Sequence, residues 1–285
     1  MTKKEVNATQ AGIVTLGNEI SVNRLGYGAM RITGSGIWGQ PSSRDDAMAL
    51  LRRAVDLGVN FIDTADSYGP NVSEEIIGEA LYPYPEDLVI ATKAGLTRSG
   101  PNRWAPNGRP EHIIKACEGS LTRLKLEQIP LYQLHRPDPK VPFEDSVGTL
   151  ISLKEQGKIR HIGLSNVDER HIRQAQALTP IVSIQNRYNV DDRGSESIVD
   201  LCEQEQMVFL PWAPIKDFEA NPHLAEIAQR HGTSPRNVVL AWMLARSPSI
   251  LPIPGTGTVG HLEENVAAVD IELTPAEVAT ITGEG

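Results

Sequence analysis

The chain has 285 residues, 40% hydrophobic and 22% charged, which is ample for a large buried core and ordinary for a globular enzyme. A formal net charge of −9 and a pI near 5.3 exclude a general nucleic-acid surface. Two cysteines, Cys117 and Cys202, exclude a disulfide framework; both fall in helical patterns and read as reduced packing residues.

The first ten residues are polar and hold no apolar signal core. No apolar run has the length a membrane span needs, so the expected setting is the cytoplasm. Residues 12–20 precede the first strand of the count below and are expected to form a hairpin plugging the bottom of the fold. The first strand is read at 23–28, followed by a polar loop at 30–42. Ser42 and Ser43 can cap a helix whose face is Ala47, Leu50, Leu51, Ala54 and Val55, and Gly58 stops it. A short apolar run at 59–63 then reads as a buried strand ending on Asp63. A helix begins near 73–75, and the next strand, 88–93, ends on Lys93.

A loop rich in Gly, Pro and Arg follows at 94–109. Ile114, Cys117, Leu121 and Leu124 form the face of a helix, and the strand at 130–135 ends on His135. Helices at 143–156, 168–177 and 195–205 alternate with strands at 158–165, 181–185 and 207–212. A polar loop at 213–221, helices near 222–231 and 235–246, a strand at 250–254 and a helix at 260–268 complete the pattern. Alternating strands and helices imply a parallel sheet with helical crossovers. Eight such units imply a closed (β/α)8 barrel occupying 1–285 as one domain. A doubly wound open sheet would want a Gly-x-Gly-x-x-Gly turn. Here Gly26-x-Gly28 runs into Met30 and Arg31, with no matching helix start.

Asp63, Lys93 and His135 close three consecutive strands, and Tyr68 follows Asp63 by five residues. Singly, each has a plain reading: a turn former, a solvated lysine, a structural histidine, a packed phenol. An ionisable group at the end of a buried run is costly unless paired, and on a barrel these ends share one face. A lysine ammonium near Tyr68 favours the phenolate, Asp63 can partner the lysine, and the imidazole can orient a substrate oxygen. Such a site gives a proton to an oxygen gaining negative charge, as in carbonyl reduction. Hydride must then come from a nicotinamide or flavin. No metal-ligand spacing such as His-x-His occurs, so no metal is expected. Ile37, Trp38 and Trp104, on the loops after strands, are candidate apolar walls for a substrate, with loop anchoring as the plainer reading.

The chain resembles the aldo-keto reductase superfamily. The motifs are residues 25–30, 61–69, 91–93, 132–135, 162–166, 184–189, 212–214, 253–256 and 262–265, in order over nearly the whole length. The resemblance implies that Tyr68 is the general acid, that Lys93 and Asp63 tune it, and that His135 positions the carbonyl. It implies that Ser165, Asn166 and Gln185 hold the nicotinamide carboxamide and that Trp212 stacks on the ring. Gly28, Ala29 and Met30, with Ala213, Pro214, Ile215 and Lys216, match loops bordering the nicotinamide and pyrophosphate. Gly255, Thr256, Gly257, Glu264 and Asn265 match positions around the adenosine half.

Many members carry lysine where this chain has Gly255 and arginine where it has His261, and those cations recognise the 2′-phosphate of NADP. NADPH is therefore the expected cofactor, NADH stays open as an alternative, and Lys216 is a candidate to compensate. Pro130 replaces a common acidic residue and is given no function. The ending at 253–256 with 263–265 looks like a bacterial branch that includes pyridoxal-reductase-like enzymes. Arg31, Arg98, Arg103 and Arg109 border the loops and can draw anionic substrates or cofactor phosphates, solvated loop charges being the plainer reading. The implied partner is a small carbonyl compound, with no nucleic acid and no membrane. A monomer fits, and the oligomeric state is open. The alternative function is an NADPH-binding regulatory subunit with little turnover; a metal-dependent barrel hydrolase is a remote third.

Overall fold

The computed structural model describes residues 6–216, 218 and 221–283; residues 1–5 of the polar N-terminal stretch and positions 217, 219 and 220 of the loop at 213–221 lie outside the described residues. It begins with an antiparallel hairpin, β1 (Ile13–Leu16) and β2 (Ile20–Asn23). There follow β3 (Tyr27–Gly28), α1 (Arg44–Asp56), β4 (Phe61–Asp63), α2 (Val72–Leu81) and β5 (Val89–Ala94). A second hairpin, β6 (Leu96–Gly100) and β7 (Arg103–Pro106), interrupts the alternation. Then come α3 (Pro110–Leu124), β8 (Ile129–Leu134), α4 (Phe143–Glu155), β9 (Ile159–Ser165), α5 (Glu169–Gln176), β10 (Ser183–Gln185), α6 (Glu196–Gln204) and β11 (Val208–Phe209). The last elements are α7 (Leu224–Arg230), α8 (Pro235–Arg246), α9 (Val259–Ala267) and α10 (Pro275–Thr282). No described helix is long and apolar enough to cross a membrane.

Seven strands pair in parallel in the order β3-β4-β5-β8-β9-β10-β11. The eighth stave is the segment 249–254. Phe209 N donates to Ser249 O and Leu251 N to Phe209 O, both at 2.9 Å, while Gly26 N donates to Pro252 O at 2.9 Å and Gly28 N to Pro254 O at 3.4 Å. Pro252 and Pro254 have no N–H to return, so the stave closes the barrel without forming a regular strand. The closure is also tight. A Cβ on Gly28 would lie 2.7 Å from the Ile253 carbonyl, so only glycine fits there.

The expected hairpin plug is present. Leu16 and Val22 join Phe61, Val89, Leu131, Val208 and Leu251 in one buried cluster inside the barrel. Two further clusters fill the layer between strands and helices. The Ser43 side chain caps α1 by accepting from Asp46 N at 3.1 Å, and Cys117 and Cys202 are free and buried.

Three local readings differ from the sequence expectation. The buried face of α3 is Ile113, Cys117, Ser120 and Leu124, and Ile114 points outward. Both faces have helical spacing, and an apolar pair at 113–114 leaves the choice to tertiary packing. The loop at 94–109 contains the hairpin β6–β7, whose polar strands carry no apolar alternation. Helix α10 closes the described chain with a complete capping box, Thr274 and Glu277 bonding each other's backbone N–H, and Pro275 at its first position.

Candidate active site

Asp63 ends β4, Lys93 lies near the end of β5, and His135 follows β8, so parallel pairing brings all three to one rim. Tyr68 reaches the same rim from the turn after β4, where Tyr68 N donates to Ala65 O at 3.2 Å. The buried Lys93 Nζ donates to Asp63 Oδ2 at 2.7 Å, to Thr64 O at 2.8 Å and to Tyr68 OH at 3.4 Å. All three ammonium protons are thereby used. The second carboxylate oxygen, Asp63 Oδ1, accepts from Gln133 Nε2 at 3.1 Å and Gln185 Nε2 at 2.9 Å. Gln133 has no role in the sequence reading, although its side-chain amide must find a partner inside the barrel.

Tyr68, His135 and Trp104 form an edge-to-face trio, with ring centroids 5.9 Å apart for Tyr68–His135 and 6.3 Å for Tyr68–Trp104. Burial pushes the Tyr68 phenol above its ordinary value, against the pull of the Lys93 ammonium. The expectation that Lys93 lowers it is right in sign for that pair, but burial outweighs it. Burial alone would lower the Lys93 ammonium; Asp63 and Tyr68 overcome this and hold it above its usual range. His135 is pushed well below the usual imidazole range by burial, then by Lys93, Arg136 and Arg98. Ser67 Oγ lies 3.4 Å from His135 Nδ1. The resting state is thus a protonated phenol, a charged lysine and a neutral imidazole.

A cavity of about 1030 Å³ opens from these residues across the rim. Asp63, Tyr68 and His135 line it, with Gly28, Met30, Ser165, Asn166, Gln185 and the run Trp212–Lys216. Gly255, Thr256, Gly257 and His261 line its other end. Of the candidate substrate walls, Ile37 and Trp104 line the cavity and Trp38 does not; among the candidate cofactor residues, Ala29, Glu264 and Asn265 lie behind the lining. Glu264 accepts from Ser234 Oγ at 2.7 Å. Asn166, at a left-handed φ of 58°, donates from Nδ2 to His135 O and Ser165 Oγ, each at 3.0 Å. Sequence reasoning passed over Arg136 and Arg236, which also line the cavity. Neither ends an apolar run, so no burial signal marks them.

Arg98 ties the walls together. Its guanidinium donates to the carbonyls of Ile37 at 2.7 Å, Ser67 at 2.9 Å and Gly36 at 2.9 Å, and lies 3.5 Å from the Trp104 ring centroid. Ile37 is a β-branched residue at φ 56°, a conformation that needs such support. Arg98 is therefore a structural clamp, with its donors turned to the backbone and not to a ligand. Loosening it should blur the carbonyl pocket. Arg98→Ala is expected to raise the KM for a carbonyl substrate by about tenfold, the scale of lost charge-assisted bonds. Steady-state kinetics at saturating cofactor would check this, an unchanged KM counting against the clamp.

The lining fits a nicotinamide dinucleotide. Trp212 offers an aromatic face, and its Nε1 is buried without a partner. Asn265 is buried on α9 with neither side-chain polar atom bonded. Such atoms are costly unless something else satisfies them. Among the described residues, no group of three His, Cys, Asp or Glu side chains is placed to hold a metal ion.

Comparison with known proteins agrees with this geometry. The profile of the aldo/keto reductase family matches residues 24–283. An uncharacterized oxidoreductase of Schizosaccharomyces pombe is 46% identical over 283 residues, 98% of this chain and 92% of that protein. Pyridoxine 4-dehydrogenase of Escherichia coli is 40% identical over 278 residues, 94% of this chain and 96% of that protein. The crystal structure of an aldo/keto reductase from Klebsiella pneumoniae in complex with NADP and acetate superposes with a TM-score of 0.80 at 27% identity, covering 94% of this chain and 93% of that one. A buried lysine–aspartate pair under a tyrosine and a histidine at a barrel rim, with a match of this extent, makes the chain a member of the aldo/keto reductase family of oxidoreductases.

Proposed function

We propose that the protein reduces aldehydes and ketones to alcohols with NADPH, and that Tyr68 is the proton donor. The observation that carries this reading is the contact of Lys93 Nζ with both Asp63, at 2.7 Å, and Tyr68 OH, at 3.4 Å, under a cavity lined by Tyr68 and His135. The bound nicotinamide supplies a hydride to the carbonyl carbon. Every proton step belongs to the chain. Tyr68 OH donates to the oxygen as negative charge develops on it, and the fixed Lys93 ammonium stabilises the phenolate left behind. Asp63 holds Lys93 charged and in place. Neutral His135 can donate one ring N–H to the carbonyl oxygen and so aim it at Tyr68. Trp212 presents an aromatic face that would hold the nicotinamide, and Trp104 and Ile37 wall off water on the substrate side.

The two substituted cation positions, Gly255 and His261, leave NADH as a second cofactor to be tested. The E. coli relative acts, by its name, on pyridoxine, and pyridoxal is for that reason the first candidate substrate here, beside small and aromatic aldehydes.

A pH signature follows. With Tyr68 raised and His135 lowered, the phenol stays protonated and the imidazole neutral through the neutral range. Carbonyl reduction needs the phenol, so it should be flat there and fall only as alkaline pH ionises Tyr68. Alcohol oxidation needs the phenolate and should rise over the same alkaline span. Profiles of kcat/KM in both directions would check this; a reduction rate falling already between about pH 6 and 7, where an unshifted imidazole titrates, would contradict the assignment of His135 as neutral.

The deciding experiment is a panel of carbonyl compounds, pyridoxal included, with NADPH and NADH in parallel. Turnover of at least one carbonyl is expected. Tight NADPH binding with no turnover on the whole panel would instead favour a regulatory subunit.

A further inference from the structure

His135 is neutral in the resting site, so its ring carries one proton, and that proton can serve a substrate only from the nitrogen that faces it. The backbone of His135 is pinned on both sides: its N–H donates to Ala94 O at 2.7 Å, and its carbonyl accepts from Asn166 Nδ2 at 3.0 Å. Tyr68 and Trp104 stand edge-on to the ring, with centroids 5.9 and 6.4 Å away. The two ring nitrogens then differ. Nδ1 lies 3.4 Å from Ser67 Oγ, its single hydrogen-bond neighbour among the described residues. Nε2 makes no hydrogen bond among them and is not sealed from solvent, as the Nε2 atoms of His112 and His161 are. His135 lines the cavity, so Nε2 is the nitrogen that opens into it. Turning the ring over would set a C–H against the Ser67 hydroxyl.

Ser67 is 2% exposed and sits in the turn after β4. Its backbone is held: the carbonyl accepts from Arg98 at 2.9 Å, while on either side Asp66 N donates to Lys93 O at 3.3 Å and Tyr68 N to Ala65 O at 3.2 Å. Its hydroxyl has one proton and, among the described residues, one partner, the imidazole Nδ1. Two arrangements can be compared. If Nδ1–H donated to Oγ, the hydroxyl proton would be left without an acceptor in a buried place, which is costly. A bare Nε2 would then face the carbonyl oxygen, acceptor against acceptor. If Oγ–H donates to Nδ1, no buried donor is idle and the ring proton sits on Nε2.

We propose that Ser67 is the positioning residue for His135: its hydroxyl donates to Nδ1 and so fixes the ring proton on Nε2, where it meets the carbonyl oxygen of the substrate. The assignment rests on the carbonyl-reductase reading above. Ser67 acts through the imidazole and needs no contact with the substrate. The Arg98 clamp gains a second effect, since the Ser67 backbone that it holds carries the hydroxyl that sets the tautomer.

The test is nitrogen-15 NMR of the histidine rings in the resting protein, beside steady-state kinetics. His135→Gln identifies the His135 signals among those of the seven histidines. The wild type is expected to show a neutral ring protonated at Nε2, with Nδ1 resonating as a hydrogen-bonded bare nitrogen. In Ser67→Ala the Nδ1 resonance should move to that of an unbonded nitrogen. There kcat/KM for 4-nitrobenzaldehyde at saturating NADPH should fall about three- to tenfold, the scale of one lost hydrogen bond, with NADPH affinity within about twofold of wild type. Ser67→Cys, whose S–H is a weaker donor, should fall between the two. A wild-type ring protonated at Nδ1 overturns the proposal. So does a folded Ser67→Ala protein in which either the Nδ1 resonance or kcat/KM is unmoved; a merely structural serine could lower the rate but would not shift one ring nitrogen. Thermal melts establish that each variant is folded. A wild type that turns over no carbonyl refutes the reading of function instead, while the resonances of the resting protein still decide the role of Ser67.

Discussion

Tyr68→Phe is expected to lower turnover by about 10²–10⁴-fold, the span that a positioned general acid contributes. The substitution removes one oxygen and keeps the ring, so the edge-to-face contacts with His135 and Trp104 stay in place. Lys93 loses its longest bond, at 3.4 Å, and keeps Asp63 and Thr64 at 2.7 and 2.8 Å. The fold and the cofactor cavity should therefore survive, and NADPH affinity should stay within about twofold of wild type. The measurement is single-turnover reduction of a reactive aldehyde beside NADPH titration of the same preparation. If the phenylalanine enzyme turns over near the wild-type rate, Tyr68 is not the acid and the proton comes from His135 or water.

Asp63→Asn should cost stability as well as activity. The Lys93–Asp63 pair is buried, and breaking a buried pair on one side leaves a charge without a counter-ion, typically a loss of about 3–5 kcal/mol. The asparagine keeps the size of the side chain but has one acceptor oxygen in place of two, so either Lys93 or the Gln133 and Gln185 amides must face its NH2 and lose a bond. Urea denaturation would report the loss as a lower midpoint. The double variant Asp63→Leu with Lys93→Met separates the two roles. Replacing the whole pair by apolar groups of similar volume is often neutral or stabilising, so much of the stability should return. Turnover should not, because nothing then stabilises the phenolate. A stable double variant with wild-type turnover would show the pair to be structural alone.

Most of the barrel was legible in advance because its strands are short apolar runs between amphipathic helices. Asp63, Lys93 and His135 stood out for one physical reason, a titratable group at the end of a run where burial is the rule. Arg236 carries no such mark; it is one exposed-type residue among many at a helix start, and only the packing of α8 on α9 turns it into the cavity. The face of α3 was ambiguous because Ile113 and Ile114 each continue a helical period, and Ser120 is buried. Hairpin β6–β7 is held by Arg98 and its own ladder in place of a core, and a pattern search for apolar alternation passes over it. The net shift of Tyr68 depends on how completely the phenol is buried, which the neighbouring charges named in the sequence do not reveal.

The seam between the first and last staves has a further consequence. Its bonds run in one direction, from Gly26 and Gly28 to Pro252 and Pro254, because the prolines return none. The cavity straddles this joint, with Gly28 on one lip and Ile253 and Gly255 on the other. A ligand bound across both lips would act as a suture, and occupancy and closure of the cylinder would then strengthen each other. Hydrogen exchange of the Gly26 amide, which donates to Pro252 O, is then expected to slow as NADPH is added.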